Sequence, residues 1–170
     1  MEWDEDVWKD AYALVYRCWL SRIYHLKRER FFKFCGGLFI GLGLMTIAAS
    51  MEQAFATNDL ASWLWLVIII VVLAIPTDYG KKARSHAGLA REFIEIKARI
   101  IAADVLSRDQ VNSFRTEILR VEMGEPKTLG ALVRICQNEI AAALGNWQDI
   151  RPVPFFKKLF AHFYDWELAP

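Results

Sequence analysis

Residues 34–51 read FCGGLFIGLGLMTIAASM and carry no charged side chain. A helix rises about 1.5 Å per residue, and roughly 17 to 20 apolar residues cross the hydrocarbon core of a bilayer. A second uncharged run follows at residues 60–76, LASWLWLVIIIVVLAIP. Leu, Ile, Phe and Val each favour insertion by roughly 0.3–0.6 kcal/mol at the helix centre, so residues 64–73 contribute on the order of −4 kcal/mol. A helical hairpin buried in a water-soluble core would carry a polar face over such a length, and neither run has one.

Working outward, residues 52–59 (EQAFATND) join the runs and contain acidic residues but no Lys or Arg. Arg17, Arg22, Lys27, Arg28, Arg30 and Lys33 precede the first run, and Lys81, Lys82, Arg84 and Arg91 follow the second. Basic flanks stay in the cytoplasm, so both termini are expected inside and the loop 52–59 outside. Trp63 and Trp65 fall where an interfacial aromatic belt is expected. The acidic start, MEWDED, lacks the basic stretch of a secretory signal, so the first run is expected to stay in the mature protein. The expected architecture is an all-α membrane protein. Residues 1–33 form a cytoplasmic amphipathic helix continuing into the membrane, 34–76 a two-helix transmembrane hairpin, and 77–170 a cytoplasmic helical bundle with an aromatic C-terminal tail.

The two runs differ in kind. The second is bulky and β-branched and suits lipid tails. In the first, Lys33, Gly37, Gly41, Leu44 and Ala48 fall on one helical face, and Gly37 and Gly41 make a GxxxG spacing that lets backbones approach closely. That face packs either on the second span or on copies of itself around an axis.

Outside the runs the pattern is amphipathic and helical. Trp8, Tyr12, Val15, Trp19, Ile23 and Leu26 recur at three- and four-residue steps with no breaker before residue 34, so one helix is predicted from about residue 4 to 50. The stretch 76–80 (PTDYG) breaks the chain. A helix is predicted over about 81–105, with Ala83, Ala87, Ala90, Ile94, Lys97 and Ile101 along a face. Ser107 and Gln110 have capping-box spacing before a helix with Val111, Phe114, Ile118 and Val121 inward. Another helix is predicted over 128–144, with Leu129, Leu132, Val133, Cys136, Ile140 and Leu144 inward and Gly145 ending it. The tail at 155–166, FFKKLFAHFYDW, either lies in the membrane interface or caps the bundle.

Composition and motifs exclude several functions. Net charge is +1, which gives no pull toward duplex nucleic acid. Cys18, Cys35 and Cys136 are scattered and odd in number, with no disulfide framework or metal spacing. His25, His86 and His162 lie in separate segments, and no nucleophile elbow, metalloprotease or phosphate-loop motif occurs. An enzyme, a metal and a cofactor are therefore not expected. His86 beside Lys81, Lys82 and Arg84 reads either as an anion site or as a solvated face. Neither run holds an ionisable residue, as a proton relay requires, but a hydrophobic constriction can gate a channel.

Tyr16-Arg-Cys-Trp-Leu-Ser-Arg22, the basic Lys27-Arg-Glu-Arg30, the tight hairpin, Ala90-Arg-Glu-Phe-Ile-Glu95 and Leu132-Val-Arg-Ile-Cys-Gln-Asn-Glu-Ile140 resemble the SLATT family. Its members are two-helix membrane effectors of bacterial conflict systems that pair with nucleotidyltransferases and nucleotide sensors. The resemblance implies a homo-oligomeric inner-membrane pore, tetrameric or larger, that depolarises or disrupts the membrane in anti-phage defence. A nucleotide from a partner nucleotidyltransferase, or a partner protein, would gate it. On that reading Gly37, Gly41, Leu44 and Ala48 line the pore, Lys33, Lys81, Lys82 and Arg84 ring its inner mouth, and Arg84, His86 and Arg91 are candidates for nucleotide or anion binding. The rival is a non-conducting membrane anchor that recruits a soluble partner.

Overall fold

The structure, a computed structural model, describes residues 5–57, 64, 68, 78–103 and 105–166, with the backbone alone for 50–57. Every regular element among the described residues is helical: α1 (Glu5–Thr57), α2 (Tyr79–Ala102), α3 (Arg108–Glu122), α4 (Gly130–Ala143), a 3-10 turn (Trp147–Asp149) and α5 (Phe155–Leu159). The second apolar run, and with it the second span of the expected hairpin, lies outside the described residues except for Leu64 and Ile68, both helical and exposed. Trp63 and Trp65 lie outside them too. α1 passes residue 50 and takes in 52–57, most of the stretch read as an outer loop. No Gly or Pro interrupts it there, and Glu52, Gln53 and Ala54 are good helix formers.

The chain divides into two compact units, Met1–Arg28 with His86–Pro170, and Glu29–Ser85. In the first, Val7, Ala11, Leu14 and Cys18 of α1 bury against Phe93, Ile96 and Ile100 of α2 and Val111 and Ile118 of α3. Further along α1, Tyr24 packs with Ala131, Leu132 and Cys136 of α4 and with Ala161 beyond α5. The α1 seam runs one residue to the side of the aromatic stripe. Its small residues let the helices approach closely, whereas Trp8 and Tyr12 stack on each other at the surface, 5.7 Å apart. Trp19 lies under the Lys97 ammonium at 4.4 Å. α2 is shifted alike: Ala83, His86, Ala90, Phe93, Ile96 and Ile100 are buried, while Ile101 is exposed.

Local signals set the helix ends. Ser107 accepts from the Gln110 N–H while the Gln110 side chain accepts from the Ser107 N–H, a complete capping box. α4 closes with the Asn146 N–H on the Ala141 carbonyl and the Gly145 N–H on the Ala142 carbonyl. This double closure needs a left-handed residue, and Gly145 supplies it at φ 76°. Ion pairs lace the unit: Arg17 with Glu122, Asp10 with Arg115 at 3.2 Å, and Lys27 with Glu139 at 2.6 Å.

In the second unit Tyr79 sits on α1. Its ring stacks on Phe39 at 5.5 Å and lies 6.3 Å from Phe32. A Cβ at Gly36 would stand 3.4 Å from the Tyr79 Cβ, so the glycine makes room for this contact. Asp78 precedes α2 at φ 33°, and its carboxylate accepts from the Lys81 N–H at 3.2 Å.

Candidate functional site

Residues 34–49 of α1 are apolar and face outward. Phe34, Leu38, Ile40, Leu42 and Ile47 are exposed, Leu44 is 63% exposed and Met45 70%. α1 is long and apolar enough to cross a membrane. Contiguous exposed apolar surface of this kind is rare on a soluble monomer and marks contact with lipid or with another chain. Thr46 bonds back to the Leu42 and Gly43 carbonyls, which hides its hydroxyl within the helix.

Among the described residues, nothing packs on the glycines of the small-residue face. A Cβ built at Gly37, Gly41 or Gly43 meets nothing within 4 Å among the described residues. Gly37 and Ala48 are exposed beside Leu44, and Gly41 is half-buried. Lys33 is exposed and pairs with Glu29 at 2.6 Å. Lys81 and Arg84 are exposed on the first turns of α2, and the Lys82 ammonium lies 5.7 Å from the Phe32 ring.

The three residues read as an anion site are not equivalent. Arg84 and Arg91 are exposed, whereas His86 is 4% exposed and turned into the core of the first unit. There its Nδ1 lies 2.8 Å from the Nδ1 of fully buried His25. The other ring nitrogen of His25 lies 3.1 Å from Glu125 Oε1. Two facing Nδ1 atoms at this distance share one proton. One Nδ1 donates and the other accepts, and His25 Nε2 faces the Glu125 carboxylate, an acceptor. Burial, then the His25 and Arg28 charges, pull His86 down to about 4.

Arg28 extends this cluster, donating to the His162 carbonyl at 2.7 Å. Burial, then Arg28 and Lys27, also bring His162 down to about 4. Thus His25 and Arg28 of α1, His86 of α2, Glu125 of the α3–α4 connection and the segment after α5 meet in one place. Sequence spacing offered no signal for it, because the histidines are 61 residues apart along the chain.

The thiols are quiet. Burial pushes Cys18 up to about 11 and Cys136 up to about 12, so neither supplies a thiolate near neutrality. Among the described residues no three His, Cys, Asp or Glu side chains come together to hold a metal.

The chain matches no protein-family profile, no curated protein and no solved structure.

Proposed function

We propose that the chain is a homo-oligomeric pore of the bacterial inner membrane, anchored by a two-helix hairpin and gated by its cytoplasmic helices. One observation carries the reading: from Phe34 to Ala49, α1 presents apolar side chains outward and a glycine face that no other described residue covers. The side chains suit lipid, and the glycine face suits close approach of neighbouring copies. Gly37, Gly41, Leu44 and Ala48 then border the conduction path, with Lys33, Lys81, Lys82 and Arg84 at its inner mouth, where they favour anions. Opening would dissipate ion gradients, the action expected of an anti-phage effector released by a nucleotide or a partner protein.

Purified protein reconstituted in liposomes across a potassium gradient tests this. Wild-type protein should produce a leak, and Gly41→Leu should incorporate equally and abolish it. Sealed vesicles containing correctly inserted wild-type oligomer under every trigger tried would count against a pore.

A second reading, a non-conducting anchor, draws on the aromatic surface after α4. Phe155, Phe156, Phe163 and Tyr164 are all exposed and offer a partner protein a docking face. On that reading Gly41→Leu leaves partner binding unchanged.

A further inference from the structure

α4 and the segment after it form an open cleft of about 480 Å³ against Tyr16 of α1. Small-molecule sites occupy roughly 300–1,000 Å³. Ile140 and Ala141 contribute apolar surface, and the remaining walls are largely polar. Arg134 and Gln137 come from α4, and Gln148, Asp149 and Arg151 from the loop.

The loop is fastened to the helix. Asn138 Nδ2 donates to the Arg151 carbonyl at 2.6 Å, and the Arg151 N–H donates to Asn138 Oδ1 at 3.0 Å. This clasp uses the Arg151 backbone only. Elsewhere in the unit Arg17, Arg99 and Arg115 each pair with a carboxylate. Among the described residues, neither Arg134 nor Arg151 forms such an ion pair. Two guanidiniums lining one concavity, with no protein carboxylate on either, match the planar oxygens of a phosphate.

A bare phosphate would leave most of the cleft empty. Gln137, Gln148 and Asp149 add amide donors and acceptors and one carboxylate, and Tyr16 adds an aromatic ring. Amide side chains read the donor–acceptor edge of a nucleobase, and an aromatic ring stacks on its face. Asp149 disfavours a purely anionic ligand and favours one that also carries hydrogen-bond donors.

We infer that this cleft binds a small organic phosphate of mononucleotide size, with the phosphate on Arg134 and Arg151 and the base against Tyr16 and the amide side chains. This names a place for the ligand of the gated-pore reading. Only the consequence for conductance rests on that reading, because binding is measured on its own.

The test titrates the detergent-solubilised full chain by calorimetry with adenosine 5′-monophosphate, adenosine, inorganic phosphate and glycerol 3-phosphate, the last standing for a lipid headgroup. The monophosphate should bind once per chain. Arg134→Gln and Arg151→Gln should each weaken it about tenfold or more, while Arg120→Gln, an equal loss of charge on α3, should leave it unchanged. Both cleft variants should fold, since neither guanidinium carries an ion pair and the Asn138 clasp stays intact. Equally tight binding of inorganic phosphate or glycerol 3-phosphate overturns base recognition. No binding at millimolar monophosphate, or equal weakening by Arg120→Gln, overturns the site. Binding without any effect on liposome leak removes the gating reading and leaves the site standing.

Discussion

The Nδ1 atoms of His25 and His86 face each other at 2.8 Å inside the core, and that contact holds one proton between the two nitrogens. Protonating His86 would place a positive charge in a buried site beside Arg28. His86 lies near 4 in the folded chain against its ordinary 6.5. The unfolded state therefore binds the proton first as pH falls. Stability is fully present above about pH 6.5, declines between about 6.5 and 4, and declines no further below that on this account. The loss is on the order of 3 kcal/mol for His86, and His162 acts in the same window. Thermal melts of the detergent-solubilised chain should show Tm falling through this range. His86→Gln should melt lower at pH 7.5 and show a slope shallower by about one proton. A flat profile for wild type from pH 7 to 4 would remove this role.

Gly36 predicts a graded response. Its absent Cβ leaves 3.4 Å to the Tyr79 Cβ, an ordinary contact for one methyl but not for a branched side chain. Gly36→Ala should be tolerated and gain helix propensity. Gly36→Val should cost about 1–3 kcal/mol by overpacking against Tyr79. Tyr79→Gly in the same chain should return part of that loss, because it removes the obstructing Cβ. Melting temperatures of the three variants and the double variant check this.

How far the residues disclosed the fold differs by level. Helix ends were legible wherever a side chain or a glycine does a local job. The Ser107–Gln110 box and Gly145 are such cases, because capping depends on residues within four positions. α3 and α4 were legible too, since Val111, Ile118, Leu132, Cys136 and Ile140 are apolar and bury as their period requires, whereas Leu144, read as inward, is exposed where α4 ends. Hydropathy misplaced the seams of α1 and α2 by one residue. Tertiary packing selected Ala11, Cys18, His86 and Phe93 and left Trp8, Tyr12 and Ile101 outside, whereas Ala83 and Ala90 bury on the face read for α2. The histidine cluster was illegible, because imidazoles from distant segments buried against each other leave no mark in composition or spacing. The GxxxG pattern at Gly37 and Gly41 marks a face for close approach, and no other described residue stands within 4 Å of a Cβ there.

The buried thiols give a chemical test of the first unit. Cys18 and Cys136 are fully buried, and burial pushes them to about 11 and about 12. At pH 7.5 the thiolate fraction of each is far too small for appreciable alkylation, and reagent has no path to either sulfur. Mass spectrometry after maleimide treatment in mild detergent should find peptides containing Cys18 and Cys136 unmodified. The same treatment in SDS should modify both. Rapid labelling of Cys136 in the folded chain would mean that the α1–α4 packing around Tyr24 opens readily.

The segment after α5 shows two opposed faces. Ala161 is fully buried in the cluster of Tyr24, Leu132 and Cys136, and Arg28 bonds the neighbouring His162 carbonyl. Phe156 is 72% exposed, and Phe155 and Phe163 stand out beside it. Ala161 and the partly buried Trp166 therefore anchor the tail to the bundle, and the three exposed phenylalanines lie outside its core. Ala161→Leu should lower stability by about 1–3 kcal/mol, because no void receives the added methylenes. Phe156→Ser should stay within about 0.5 kcal/mol, as expected at a surface position. A partner or a lipid surface that uses these rings would register Phe156→Ser as lost binding at unchanged Tm, whereas a purely structural tail would lose neither. Melting and co-sedimentation with vesicles of stated phosphatidylglycerol content, measured on the same two variants, separate the anchoring face from the docking face.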